Sequence, residues 1–261
     1  MPLSRCEFRF YEELNDFLPP VLRQQTFEHD FDGTPSVKDR IEALGVPHTE
    51  VDLILVDGVS VGFTHLLRGG ERVAVYPMFE RFDLTDVTVL RPRPLRQPRF
   101  VLDVHLGRLA GYLRLLGFDT RYRNDFADID LVNISLAEHR IVLTRDTGLL
   151  KRSALTHGAF VHETNPRHQL REMLDRFDLE SQIAPFTRCA RCNGLLEPVP
   201  REVGLDAAPP SVAQYAHDFT RCRDCDQLYW PGSHLPRLRQ WLAAEIGVQF
   251  ALDVQEARGS S

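Results

Sequence analysis

The sequence contains no apolar run long enough to cross a membrane, so we expect no membrane partner. Residues 1–7 also lack the apolar stretch of a secretory signal peptide, and we therefore expect a cytoplasmic protein. Cysteine is scarce: only five occur among 261 residues, and four of them lie in two closely spaced pairs. With 43% hydrophobic residues, the chain can bury a sizeable core in two or three domains.

Positive charge is scarce in the N-terminal third. Residues 1–90 contain 8 Lys and Arg against 16 Asp and Glu, whereas residues 91–182 contain 15 against 12. The basic excess is concentrated in residues 91–123, which hold eight arginines and only two aspartates. An acidic part followed by a basic part indicates two kinds of partner. We expect the basic part to bind RNA and the acidic part to contact a protein.

The first 90 residues have the pattern of a small α+β domain. Residues 5–10 alternate as a strand does, and residues 25–31 form a second extended stretch that could pair with them. Thr34-Pro35-Ser36 predicts the start of a helix, with a hydroxyl cap and a proline at the first position. Gly45 predicts the end of this helix.

A hairpin and a further strand complete this domain. Residues 52–56 and 59–63 are predicted strands joined by Asp57-Gly58, a strong hairpin signal. This hairpin and the stretch Gly70–Pro77 resemble the signatures of the ubiquitin-like sulfur-carrier proteins, which have a β-grasp fold. A sulfur carrier needs a free C-terminal Gly-Gly, whereas this chain continues beyond Gly69-Gly70. We therefore expect a ubiquitin-like domain with a docking or structural role.

Residues 91–99 are predicted to form a linker. Three prolines disfavour helix and central strand, and four arginines keep the segment solvated. The linker is either a stiff spacer or a basic arm that contacts phosphates.

Beyond the linker, short apolar runs alternate with helical patterns. The predicted strands are residues 100–102, 120–123, 141–144 and 159–162. Strands that alternate with helices predict a parallel sheet between helical layers, here over residues 100–182. Gly117 predicts the end of the helix that follows the strand over residues 100–102. Asp103 and Asp146 each follow a predicted strand, where acids serve either as ligand-binding groups or as ordinary turn and cap residues.

Several separate motifs of this region occur in the order found in one nuclease family. They are Leu102–Ala110, Leu113–Asp119, Arg140–Leu150, the two Cys-x-x-Cys pairs and Tyr229–His234. On these motifs residues 99–240 resemble the PIN-like RNase family named after the C-terminal domain of the mutator exonuclease numbered seven. Such domains are commonly preceded by a ubiquitin-like domain. The resemblance implies an α/β PIN-like domain that hydrolyses RNA with Mg²⁺ or Mn²⁺ bound by acids at the edge of the sheet.

The resemblance also implies which acids form the site. Asp103 and Asp146 match the family's metal ligands, Asp128 is the expected third acid, and Asp125 and Asp130 compete with it. Like charges gather at low cost only where a cation binds them, which favours metal-dependent phosphodiester hydrolysis. The alternative is a catalytically inactive RNA-binding or adaptor protein whose acids are vestigial.

Basic and hydroxyl side chains near these acids are candidates for RNA contact. Arg108, on the helix after Asp103, is expected near the site, and Arg114, on a neighbouring face, is expected at the surface. Thr144 and Arg145 immediately precede Asp146 and could bind a phosphate, while a structural ion pair is the alternative for Arg145.

The two Cys-x-x-Cys pairs predict a structural zinc ion. The four cysteines are Cys189, Cys192, Cys222 and Cys225. Two such pairs, here separated by 29 residues, are typical of a closed tetrahedral zinc site, and redox-active dithiols are the main rival. We expect a zinc ribbon with a C-terminal helix in residues 183–248, a tail over residues 249–261, and Cys6 as a buried thiol.

Overall fold

The computed structural model describes residues 3–77, 90, 98–214, 216–230, 240, 241, 243 and 244. Most of the predicted linker and all of the predicted tail lie outside this described part, as does most of the helix expected after the ribbon. None of the described helices is long and apolar enough to span a membrane.

The N-terminal domain is a five-stranded sheet packed against one helix. Its elements are β1 (Ser4–Phe10), β2 (Phe27–Phe31), α1 (Val37–Ala43), β3 (Val51–Val56), β4 (Val59–Ser60) and β5 (Arg72–Pro77). The strand order is β2-β1-β5-β3-β4, in which β1 and β5 are parallel and the other pairs are antiparallel. Buried Phe8, Ile41 and Ile54 join the helix to the sheet. This arrangement is the β-grasp fold that the sequence predicts.

Local signals place the turns of this domain. The hydroxyl of Ser36 accepts the Asp39 N–H at 3.2 Å, and the Asp39 carboxylate accepts the Ser36 N–H, which forms a capping box. The predicted proline therefore precedes the cap and does not occupy the first helical position. Asp57 and Gly58 have φ values of 50° and 82°, as a tight hairpin turn requires, and Gly45 ends the helix at φ 111°.

The central domain is a parallel four-stranded sheet with helices on both faces. Its elements are β6 (Phe100–Leu102), α2 (Gly107–Leu115), β7 (Thr120–Arg121), α3 (Asp128–Glu138), β8 (Ile141–Thr144), α4 (Thr147–Leu150), β9 (Gly158–Phe160) and α5 (Pro166–Arg176). The strand order is β7-β6-β8-β9. The chain thus passes from β6 to β7 on one side and then crosses to β8 on the other. The reversal creates a switch point between β6 and β8, where such sheets usually bind ligands.

The strands bury both of their faces. Phe100 and Leu102 pack with α2 and α5, whereas Val101 and Val142 pack with α3 and α4. This explains why the strands are continuous apolar runs instead of alternating ones. Gly117 ends α2 at φ 95°, so its predicted role is confirmed.

Helix α5 was not predicted from the sequence, although a start signal is present. The Asn165 side chain accepts the Arg167 N–H at 2.9 Å, and Pro166 occupies the first helical position. This helix covers one face of the sheet and carries Glu172 and Arg176, whose contacts are described below.

The third unit is an antiparallel sheet with a short helix. Its elements are β10 (Leu196–Val199), α6 (Arg201–Ala207), β11 (Phe219–Cys222) and β12 (Leu228–Tyr229), in the sheet order β10-β11-β12. Helix α6 occupies part of the 29-residue stretch between the cysteine pairs. Gly204 allows this helix to approach β11, since a Cβ there would lie 2.2 Å from Phe219 Cγ.

Candidate functional site

Two aspartates follow the strands on either side of the switch point. Leu102 of β6 is paired with Leu143 of β8, and the N–H of Asp103 donates to the Leu143 carbonyl at 3.1 Å. Asp103 therefore lies beside Thr144, the last residue of β8, and Asp146 follows two residues later. The fold thus brings the ends of these strands together, as expected for a parallel sheet.

The Thr144 hydroxyl connects the two aspartates. It donates a hydrogen bond to Oδ2 of Asp103 and accepts the backbone N–H of Asp146 at 2.9 Å. Thr144 is fully buried. A buried hydroxyl with these two partners is placed to orient the aspartates rather than to contact a phosphate.

Both aspartates also cap short helical turns. Oδ1 of Asp103 accepts the His105 N–H at 2.7 Å, and Oδ1 of Asp146 accepts the Gly148 N–H at 2.7 Å. Asp103 is only 7% exposed, whereas Asp146 is exposed. Within the described part of the chain, Oδ2 of Asp146 has no hydrogen-bond partner. This oxygen is therefore available to a ligand from solvent.

The other three acids lie at or near the N-terminus of α3. Asp128 accepts a hydrogen bond from Arg152 at 2.9 Å, Asp130 caps the helix by accepting a backbone N–H at 2.9 Å, and Asp125 pairs with Arg123 at 2.6 Å. Because α3 follows β7, its N-terminus lies toward the carboxyl edge of the sheet. Among the described residues, however, no set of three acidic or histidine side chains converges closely enough to hold one metal ion.

The two candidate arginines differ in their surroundings. Arg108 is exposed in the first turn of α2, and its side chain has no ion pair or hydrogen bond within the described residues. Arg145 donates through Nη1 to the carbonyl oxygens of Val161, His162 and Glu163, at 2.8, 2.7 and 2.5 Å. Arg145 thus binds the loop after β9 through carbonyl groups, and it forms no ion pair with any residue that the structure describes.

The four predicted zinc ligands converge. Their sulfur atoms all lie within 4.8 Å of one another, with 3.7 Å between Cys189 and Cys225 and 3.3 Å between Cys192 and Cys222. Sulfurs around tetrahedral zinc are about 3.8 Å apart, from a Zn–S distance of about 2.3 Å, whereas a disulfide needs about 2.05 Å. All four cysteines are free thiols. The donor set therefore fits a structural zinc ion.

The backbone of each cysteine turn supports this site. The N–H groups of Gly194 and Asp224 each point at a cysteine sulfur, at 3.4 Å. Asn193 and Asp226 directly follow the second cysteine of each pair and have φ values of 76° and 55°. Asn and Asp tolerate this left-handed conformation better than most residues, which explains why Asp226 can stand where glycine is common.

Tyr229 adds a hydrogen bond to the cluster, since its hydroxyl lies 3.1 Å from the Cys189 sulfur. Burial raises the pKa of the Cys189 thiol, but hydrogen bonds from Tyr229 and from backbone N–H groups lower this pKa to about 7. Burial and the neighbouring sulfurs raise the pKa of Cys192 to about 12. A zinc ion bound by all four sulfurs would hold them as thiolates.

Two family models match the chain. The model of the Mut7-C RNAse domain matches residues 98–242, more than half of the chain, and the model of the Mut7-C ubiquitin domain matches residues 3–83. The chain belongs to the Mut7-C RNase family. The predicted order of a ubiquitin-like domain followed by a Mut7-C domain is thereby confirmed. The family indicates a nuclease or another RNA-related function.

Neither of the other comparisons adds a function to the Mut7-C assignment. No curated protein matches the chain. Among solved structures, the H. volcanii small archaeal modifier protein 1 is 19% identical over 28% of this chain and 97% of that chain, with a TM-score of 0.23.

In the Mut7-C domain, Arg114 holds the first cysteine turn against the α/β core. It is only 5% exposed, so the prediction that it lies at the surface is wrong. Its guanidinium donates to the carbonyl oxygens of Thr120, Ala190 and Arg191, at 2.9, 3.2 and 3.0 Å. These carbonyl groups from two parts of the chain provide the hydrogen bonds that make burial of the charge tolerable.

Asn193 makes a second connection between the zinc site and the core. Its Oδ1 accepts the Thr120 N–H at 2.8 Å, and its Nδ2 donates to Asp119 at 2.8 Å. Burial raises the pKa of Asp119, but its bonds with Arg140 and Asn193 outweigh this and hold the pKa below its ordinary value. No sequence signal predicts these contacts, because the partners are 73 and 74 residues apart.

Proposed function

We propose that the Mut7-C domain hydrolyses RNA phosphodiester bonds with a divalent cation held by Asp103 and Asp146. The observation that supports this most is the placement of both aspartates at the switch point of a parallel sheet, oriented by one buried hydroxyl. Mg²⁺ is commonly bound by one or two carboxylates and completed by water and phosphate oxygens, so two aspartates are a sufficient protein contribution.

The neighbouring residues would complete the site. When bound, Mg²⁺ or Mn²⁺ supplies an activated water and neutralises charge that develops on the phosphate. Asp128 is the proposed third acid, since its partner Arg152 follows the short helix that Asp146 caps. Arg108 is exposed and without a partner among the described residues, which suits contact with an RNA phosphate.

Titration with metal tests this function. The protein is dialysed against buffer that contains no Mg²⁺, no Mn²⁺ and no chelator, so that a structural zinc ion stays bound. It is then incubated with a panel of single-stranded and structured RNAs at increasing Mn²⁺ or Mg²⁺. We expect cleavage that is absent without metal and saturates with it, because the carboxylates bind the ion with a finite affinity. If cleavage of every RNA is absent at all metal concentrations, or is equal without metal, the proposal fails.

Replacing Thr144 with valine should lower the cleavage rate by about 10- to 100-fold, which is typical for loss of a group that orients a metal ligand. Valine fills the same buried space, but it leaves Oδ2 of Asp103 and the Asp146 N–H without their partner. Thr144→Ser is the matched control, because it retains the hydroxyl and should keep most of the activity. Equal activity in Thr144→Val and the parent chain would contradict the orienting role.

A catalytically inactive RNA-binding or adaptor protein is the second candidate. It is favoured by the capping hydrogen bonds of both aspartates and by the lack of a third converging acid among the described residues. This candidate predicts RNA binding that does not respond to Asp103→Asn, together with no saturable effect of Mn²⁺.

A further inference from the structure

The ubiquitin-like domain contacts the edge strand of the Mut7-C sheet through the short turn that precedes β3. Within this turn, His48 Nε2 lies 2.8 Å from the Leu155 carbonyl oxygen and Thr49 donates to the Leu150 carbonyl at 3.4 Å. Glu50, which ends the turn, is completely buried in the contact. These contacts are made by residues of the turn and not by residues of a strand in the ubiquitin-like sheet.

A buried ion pair takes the place of a neighbouring strand at this edge. Glu50 accepts the backbone N–H of Phe160 and a hydrogen bond from Arg176, both at 2.5 Å, and Arg176 donates to the Phe160 carbonyl at 3.3 Å. Both backbone groups of Phe160 that would otherwise be open at the edge are thus satisfied by side chains. Because a buried charge without its partner is costly, this pair indicates a persistent contact and not a transient one.

The loop that follows Phe160 is held from two sides. On one side, Phe17 of the ubiquitin-like domain packs edge-on against the rings of Phe160 and His162, at centroid distances of 5.4 and 5.6 Å. On the other side, the Glu172 carboxylate accepts the N–H groups of His162 and Glu163, at 2.8 and 3.0 Å. The ubiquitin-like domain therefore contributes directly to the position of this loop.

The same loop binds the Arg145 side chain. Its carbonyl groups accept three hydrogen bonds from the Arg145 guanidinium, and Arg145 lies between Thr144 and Asp146 in the chain. A continuous series of contacts thus runs from Glu50 through Phe160 and the loop to Arg145, and from there to the aspartate that follows it.

We propose that the ubiquitin-like domain acts in cis as a positioning module for the nuclease site. Glu50 is the positioning residue, because it fixes the end of β9. The hydrogen bonds between Arg145 and the loop after β9 then fix the segment that carries Asp146. The effect on cleavage rests on the proposed function. The coupling between the domains does not, since it can be measured without RNA.

Hydrogen exchange of the full-length protein tests the coupling. Glu50→Gln keeps the size of the side chain but removes the charge that pairs with Arg176, and Phe17→Leu removes the ring contacts without disturbing the ion pair. We expect amides of residues 158–163 and of residues 144–148 to exchange about tenfold faster in each variant, as loss of buried hydrogen bonds or packing implies. Glu28→Gln, in an exposed pair with Arg5, is the matched control and should leave both segments unchanged.

Cleavage provides the second measurement. In Glu50→Gln and Phe17→Leu, the Mn²⁺ concentration for half-maximal cleavage should rise about threefold or more, whereas Glu28→Gln should match the parent chain. Unchanged exchange of residues 144–148 in both variants would overturn the coupling, and faster exchange without a change in Mn²⁺ dependence would overturn the positioning role. If the parent chain cleaves no RNA, the proposed function fails, and the exchange result still decides whether the domains are coupled.

Discussion

Asp103→Asn and Asp146→Asn should each reduce the rate of RNA cleavage by about a hundredfold or more, while the protein remains folded. An amide oxygen is a weaker cation ligand than a carboxylate and carries no charge. Loss of several kcal/mol of charge stabilisation corresponds to at least this change in rate. Folding should survive because an asparagine oxygen can still accept the His105 or Gly148 N–H, and asparagine is as good a cap as aspartate.

The control for these variants is another aspartate of the same domain. Asp175→Asn removes a carboxylate that pairs with Arg171 on the exposed face of α5, and we expect activity within about twofold of the parent chain, because such surface pairs contribute little. Circular dichroism and the melting temperature establish that all three variants are folded. Persistent cleavage in both Asp103→Asn and Asp146→Asn would place the active site elsewhere.

Loss of the zinc site should have the largest effect on stability. We expect the purified chain to contain one zinc ion, and Cys222→Ser or a strong chelator to remove it. Loss of only about 3 kcal/mol would lower the melting temperature by about 6–12 °C in a domain of this size. The destabilisation should extend into the α/β core, because Arg114 and Asn193 bind the first cysteine turn to the segment around Thr120.

Cys6→Ser is the matched control for the zinc site. Cys6 is a buried thiol of the ubiquitin-like domain, and its sulfur lies 3.0 Å from the Glu71 carboxylate. This variant should retain one zinc ion per chain by elemental analysis. A metal-free parent chain that melts at the same temperature with and without chelator would contradict a structural zinc site, and disulfides within the two pairs would favour the redox alternative.

Local signals were sufficient to predict most individual elements. The Asp57-Gly58 turn, the end of α2 at Gly117 and the strand over residues 141–144 depend on short-range backbone preferences and on apolar runs, and the structure has all three. Helix α5 was missed even though Asn165 and Pro166 provide a start signal. Its buried residues Leu170, Met173, Leu174 and Phe177 also recur at helical spacing, so this helix could have been predicted from the sequence.

The candidate site was predictable in its location but not in its internal contacts. Two acids after neighbouring parallel strands must lie at one edge, so the placement of Asp103 and Asp146 follows from the order of the elements. The roles of Thr144 and Arg145 could not be predicted from the order of the elements. The partner of Thr144 depends on the strand register, and the partners of Arg145 depend on the path of the loop after β9. The same reason applies to Arg114, which was expected in solvent but is bound by carbonyl groups 76 and 77 residues away.

The covered margins of the Mut7-C sheet have a consequence for self-association. Glu50 and Arg176 satisfy the backbone of Phe160 on one margin, and Asn193 satisfies the Thr120 N–H on the other. A strand from a second molecule therefore cannot pair with either position. Pairing of this kind at exposed sheet edges is what leads to aggregation. Trimming the chain to the α/β core would remove Glu50 and Asn193 and leave both N–H groups open, so we expect the isolated core to be less soluble than the full chain.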